Sequence, residues 1–140
     1  MSKFKVKLRV PWVDTDTAGV VHFTNYFKYF EIAEEELYNA LGFNYTTLKE
    51  KYGLWIPRVE AHCNYKAPSR FNDELEISVW IDEMGKKHIK YRFTIENLTS
   101  GRLVAEGWVV VVTVKIGENR AAPIPEEIRE KLETFMQEKF

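Results

Sequence analysis

The sequence predicts an α+β domain: an antiparallel sheet of about five strands wrapped around one long central helix, with another helix near the C-terminal end. Five stretches alternate apolar and polar residues with the period of a strand. Residues 26–41 carry an apolar stripe wider than a surface helix needs, which calls for a sheet curved around it. The last four strand patterns are joined by connections too short to hold crossover helices, so they must pair antiparallel.

Phe4, Val6, Leu8 and Val10 alternate with Lys5, Lys7 and Arg9, and Pro11 ends this first strand. Tyr26, Phe30, Ala33, Leu37 and Leu41 then recur at steps of four and three, flanked by Phe27, Tyr29, Ile32 and Tyr38. Gly42 supplies the left-handed close of that helix. Thr46 is expected to cap a short helix ending near Gly53. Val59, Ala61, Cys63 and Tyr65 form the expected buried face of a second strand. Leu75, Ile77, Val79 and Ile81 form a third, and Ile89, Tyr91, Phe93 and Ile95 a fourth, with Gly85 in the turn between them. A single long strand is expected over 103–116, mid-sheet because 108–112 is apolar on both faces. Pro125 suits the first position of a closing helix bearing Ile128, Leu132, Phe135 and Met136 on one face.

With 140 residues the chain fits one domain, 1–140, large enough to bury roughly two-thirds of its unfolded surface. Apolar residues make up 45% and charged residues 29%, the balance of a globular protein. A net charge of -1 argues against a general nucleic-acid binder. Cys63 is the single cysteine, which rules out an internal disulfide and a clustered-cysteine zinc site and fits a cytoplasmic setting. The densest apolar run, 108–112, falls far short of the roughly 18 residues of a membrane span, so no membrane insertion is expected.

The chemistry is expected between the first strand and the long helix, where Asp14-Thr-Asp16-Thr-Ala-Gly19-Val-Val-His22-Phe23-Thr-Asn25-Tyr26 places two carboxylates, a turn glycine and a histidine. Unpaired N–H groups and the positive end of the helix dipole can polarise a carbonyl there while a carboxylate attacks it or deprotonates water. Aspartates also bond to their own backbone in turns, so loop stabilisation is a second reading of the same pair. A divalent cation held by the aspartates and His22 is a third, though the further oxygen ligands it needs are not evident nearby. Glu31, Glu34, Glu35 and Glu36 lie in the first half of the helix and are expected to face solvent, with Glu31 the one whose face can reach the site. Lys86 and Lys87 follow Gly85 in a hairpin turn, either solvated or placed to attract phosphate. No Walker loop, dinucleotide fingerprint or nucleophile-elbow serine is present, which leaves the carboxylate as the best reactive group.

The segment from Asp14 to Tyr26, with the aromatic helix through Glu31, resembles the signature of hot-dog acyl-CoA thioesterases of the hydroxybenzoyl-CoA thioesterase type. Residues 65–77, 102–107 and 124–128 are similar to later segments of that family, so the resemblance spans nearly the whole chain. It implies the hot-dog fold and hydrolysis of acyl-CoA, with coenzyme A as part of the substrate and no metal or organic cofactor. Asp16, three residues before the glycine, is implied as the catalytic carboxylate and Asp14 as its support. Phe23 stands where a backbone N–H polarises the thioester carbonyl, and Asn25 and Tyr26 match the residues that open the helix. His22 stands in the substrate-binding stretch, with His22-Phe23 where many relatives carry Tyr-His. Lys86 and Lys87 fall in the hairpin that contacts coenzyme A phosphates. The resemblance also implies a homotetramer, or at least a dimer whose sites lie between subunits. Two other functions use the same groove: a hot-dog hydratase or dehydratase on acyl thioesters, and a non-catalytic acyl-CoA binding protein.

Overall fold

The computed structural model describes residues 3–136; Met1, Ser2 and residues 137–140, which the single-domain expectation includes, lie outside the described residues. Strands β1 (Phe4–Arg9), β3 (Arg58–Tyr65), β4 (Glu74–Met84), β5 (His88–Asn97) and β6 (Arg102–Val112) form one antiparallel sheet in the order β1-β4-β5-β6-β3. Helix α1 (Asn25–Leu41) is the central helix, and it lies chiefly against β4 and β1. Its Phe30 ring stacks on Phe93 of β5 at 4.5 Å. Leu75, Ile77, Val79 and Ile81 of β4 meet Tyr29, Phe30, Ala33 and Leu37 of α1 in one buried core. Each such side chain contributes about 1.5–3 kcal/mol when fully buried. Gly42 ends α1 in the left-handed conformation at φ 88°, as its place in the pattern predicts.

Several boundaries differ from expectation, each for a local reason. Helix α2 (Tyr45–Tyr52) is capped by Asn44 rather than Thr46: Asn44 Oδ1 accepts from the Thr47 N–H while the Thr47 hydroxyl accepts from the Asn44 N–H, a reciprocal pair. The long strand expected over 103–116 breaks at Thr113, which is buried and donates its N–H to the Lys87 carbonyl and its hydroxyl to the Ala122 carbonyl. Beyond it β7 (Val114–Lys115) joins a small sheet with β2 (Leu54–Trp55) and β8 (Arg120–Ala121). Pro125 is the N-cap of α3 (Glu126–Glu133), one position earlier than expected. Phe135 and Met136 follow the helix instead of extending it. The Phe135 ring meets Phe4 edge-on at 5.9 Å, and its carbonyl accepts from the Ile81 N–H.

The expected inner face of β3 is largely uncovered. Val59 is 60% exposed and Tyr65 47%, and Cys63 is only half-buried, because β3 is an edge strand and α1 lies chiefly over β4 and β1. Gly107 of β6 shows how closely that edge is held. A Cβ there would sit 2.1 Å from the His62 carbonyl oxygen of β3 and 3.0 Å from the Phe30 ring. Gly107→Ala is therefore expected to destabilise the fold by about 1–3 kcal/mol, the usual cost of overpacking, read as a lower urea midpoint. An unshifted midpoint would mean that β3 can move off β6 freely.

Candidate active site

The acidic loop folds as a small hairpin ahead of α1. Thr15 bridges Val21, the Asp16 N–H donates to the Val20 carbonyl at 2.9 Å, and the Gly19 N–H donates to the Asp16 carbonyl at 3.0 Å. Gly19 takes φ +80°, the left-handed turn for which its position called. The two aspartates behave differently. Asp14 is 3% exposed and is bonded to Lys28 and to the Tyr29 hydroxyl at 2.7 Å, both on the first turns of α1. Its backbone carbonyl accepts from the His22 N–H and from the Asn25 side-chain amide, each at 2.9 Å. Asp14 thus fastens the loop to the helix. Asp16 lies at the exposed tip, and its Oδ1 accepts from the Ala18 N–H at 2.8 Å.

The start of α1 is open. The N-cap residue Thr24 places no side-chain oxygen on the helix amides, since its hydroxyl is bonded to His22 Nδ1 at 2.7 Å. Among the described residues, the Phe23 N–H has no hydrogen-bond partner. The Phe23 ring is 59% exposed and lies over His22 at 4.8 Å. Beside it an open pocket of about 320 Å³ is walled by Val21, Phe23 and Tyr65, with Tyr26 and Ala67. Burial raises the Tyr26 phenol above its ordinary pKa. Phe23, Asn25 and Tyr26 therefore cluster at the helix start, while Asp16 does not line this pocket within one chain.

Lys86 and Lys87 are not brought to that cluster. The acidic loop sits at the end of the sheet where β4 begins, held by the Val21 bond to Ser69 and the Val20 bridge to Arg70. The lysine hairpin sits where β4 ends, 11 residues along. At about 3.3 Å per residue the separation is roughly 35 Å. Both lysine side chains are exposed, and their backbone carbonyls accept from Ile124 and Thr113, so the hairpin itself is firmly seated.

One expectation for the helix is overturned. Glu34 does not face solvent: it is 1% exposed. Its carboxylate accepts from Arg58 Nη2 at 2.7 Å, the Tyr38 hydroxyl at 2.8 Å and the Tyr45 hydroxyl at 3.1 Å, and Tyr38 also bonds to Tyr91 at 2.7 Å. Burial pushes this carboxyl above its ordinary pKa, and Arg58 opposes the shift. The signal was present in the spacing, because Glu34 stands four residues after Phe30 and three before Leu37, on the apolar stripe. Arg58 also reaches a groove of about 630 Å³ floored by Leu48, Leu54, Ile56 and Val114, with Glu31 on its wall.

A helix with an open amide end lies under a wrapped antiparallel sheet and is preceded by an acid-bearing hairpin, an arrangement in which a carbonyl can be polarised beside a carboxylate. The model of the thioesterase-like superfamily matches residues 10–132, and the chain belongs to that family. It is 29% identical to an acyl-CoA thioester hydrolase of Escherichia coli, over 89% of this chain and 92% of that protein. Among solved structures it is similar to a gentisyl-coenzyme A thioesterase, with 31% identity, 92% of this chain and 98% of that one covered, and a TM-score of 0.79. A 1,4-dihydroxy-2-naphthoyl-CoA thioesterase from Synechocystis, 22% identical over 94% of this chain and 96% of that one, has the same hot-dog fold at a TM-score of 0.88.

Proposed function

We propose that the protein hydrolyses acyl-CoA thioesters to a free acid and coenzyme A, with Asp16 as the reactive carboxylate. The observation that carries this function is the open Phe23 N–H at the start of α1, beside a pocket and one short hairpin away from an exposed aspartate. An oxygen that gains negative charge at that amide is stabilised by the hydrogen bond and by the helix dipole together. Two routes fit. In one, Asp16 attacks the carbonyl carbon, the thiolate of coenzyme A leaves, and water hydrolyses the resulting mixed anhydride. In the other, Asp16 takes a proton from water as that water attacks, and the thiolate leaves with the proton. Neither route needs a cofactor beyond the coenzyme A of the substrate. His22 and Tyr26 border the substrate, Asn25 braces the loop, and the 630 Å³ groove, with Glu31 about 9 Å along the helix from Asn25, suits an apolar acyl group.

The active unit in this proposal contains two copies. Phosphate contacts from Lys86 and Lys87 cannot reach a thioester at the other end of the same sheet. Antiparallel pairing of two β3 edges would reverse one copy against the other and bring the lysine hairpin of one toward the acidic loop of its partner. The open edge, the uncovered Val59 and the exposed Tyr65 support that pairing. Trp12 and Phe71, which meet edge-on at 5.4 Å in the exposed surface, offer a second contact for a dimer of dimers.

Free-thiol release from acetyl-, palmitoyl- and benzoyl-CoA tests the function. Release from at least one is expected, and saturable binding of all three without release would overturn it. An enoyl-CoA followed by ultraviolet absorbance separates hydration from hydrolysis in the same series. Replacing Lys86 and Lys87 together by alanine is expected to raise KM about tenfold with kcat nearly unchanged, because remote phosphate contacts bind substrate and transition state alike. An unaltered KM would remove the hairpin from the site.

A further inference from the structure

We infer that Tyr65 is a positioning residue for the thioester-polarising amide of Phe23. This rests on the hydrolytic function proposed above and adds a residue from the far edge of the sheet to its machinery. The Phe23 N–H lies in the plane of the His22–Phe23 peptide unit, and the φ and ψ of Phe23 tie that plane to the next unit, Phe23–Thr24. The first, between His22 and Phe23, is held locally, because the His22 carbonyl accepts from the Asn25 N–H at 2.9 Å. The second, between Phe23 and Thr24, has two long contacts within the helix start, the Tyr26 N–H to the Phe23 carbonyl and the Thr24 N–H to His22 Nδ1, each at 3.4 Å. Its main anchor comes from β3: the Tyr65 hydroxyl donates to the Phe23 carbonyl at 3.2 Å.

The ring supports the same placement. Tyr65 meets Phe23 edge-on at 6.3 Å and Tyr26 at 5.5 Å, so three aromatic side chains frame the open amide. The Tyr65 phenol, an ordinary donor at neutral pH, is pushed higher still by burial and by the neighbouring Cys63 thiol. Tyr65 is not a core residue, since nearly half of it is exposed. Its hydroxyl thus serves the helix start more than the fold. A donor that must meet a developing oxyanion loses much of its value when it is mis-aimed by a fraction of an ångström, and a single displaced catalytic contact can cost about 10²-fold.

Tyr65→Phe removes the hydroxyl and keeps the ring. With benzoyl-CoA, or whichever of acetyl- and palmitoyl-CoA is turned over faster, kcat is expected to fall on the order of tenfold while KM stays within about twofold and the melting temperature is unchanged. The infrared stretch of the thioester carbonyl provides a readout that a purely structural role would not move. Bound to Asp16→Asn, which keeps the substrate intact, the carbonyl stretch is expected below its value in free substrate. Adding Tyr65→Phe is expected to return it toward that value. If kcat and the carbonyl stretch are both unaltered by Tyr65→Phe while the unsubstituted protein hydrolyses thioester, the inference is wrong and the hydrolytic function stands. If the unsubstituted protein releases no thiol, both fall together.

Discussion

Asp16→Asn is expected to lower kcat by about 10²–10⁴-fold, the range lost with a general base, and by at least as much if the carboxylate is the nucleophile. The substitution is mild for the fold. Asp16 is exposed, and the hydrogen bond its side chain makes in the loop is accepted by Oδ1 from the Ala18 N–H. The asparagine carbonyl oxygen can accept the same bond, so the Asp16–Gly19 turn is kept while basicity and negative charge are lost. Stability should change by no more than about 0.5 kcal/mol, as for most exposed positions. Thiol release and urea unfolding on the same preparation check both halves. Near-normal turnover would return Asp16 to its other reading, a residue that merely closes its own turn.

Arg58→Ala is expected to destabilise the fold by about 3 kcal/mol, toward the low end for breaking a buried pair because part of the Arg58 side chain reaches solvent. The loss comes from the partner left behind. Glu34 would keep its two tyrosine donors but lose its charge partner inside the core. A raised folded pKa means that the native state holds the Glu34 proton more tightly than the unfolded chain. Stability from that proton is present at low pH and is lost as pH rises from the ordinary value of 4.5 through the higher folded one. Removing Arg58 raises the folded value further, so the destabilisation should be larger at neutral than at acid pH. In a Glu34→Gln background the same substitution should cost much less, since no buried charge is stranded. An equal, pH-independent loss in both backgrounds would show that Arg58 acts through packing alone.

What was legible in the chain followed one rule: features written as a local period could be read, and features set by which surfaces meet could not. The alternation of 75–81 and 89–95 and the stripe of 26–41 gave the sheet and its helix, and Gly42 and Gly19 marked their turns, because each depends on neighbours only a few residues away. Glu34 was hidden within the run Glu34-Glu35-Glu36, where charge suggests solvent although helical spacing puts one member inward. Val59 and Tyr65 read as core from alternation, but strand order puts β3 at an edge that one chain leaves bare. The distance between the acidic loop and Lys86-Lys87 is likewise a property of strand direction and carries no sequence period. Asp16 itself was indistinguishable from Asp14 by spacing. Their division of labour is drawn from motif resemblance, with Asp14 now seen fastened to Lys28 and Tyr29 and Asp16 left at the tip.

The most direct measurement is a crystal structure of Asp16→Asn holding an intact acyl-CoA. The thioester carbonyl oxygen is expected within hydrogen-bond distance of the Phe23 N–H, with the side chain at position 16 facing the carbonyl carbon and the phosphates near Lys86 and Lys87 of a second copy. A thioester bound away from the start of α1, with the side chain at position 16 pointing into solvent in the assembled protein, would contradict that placement.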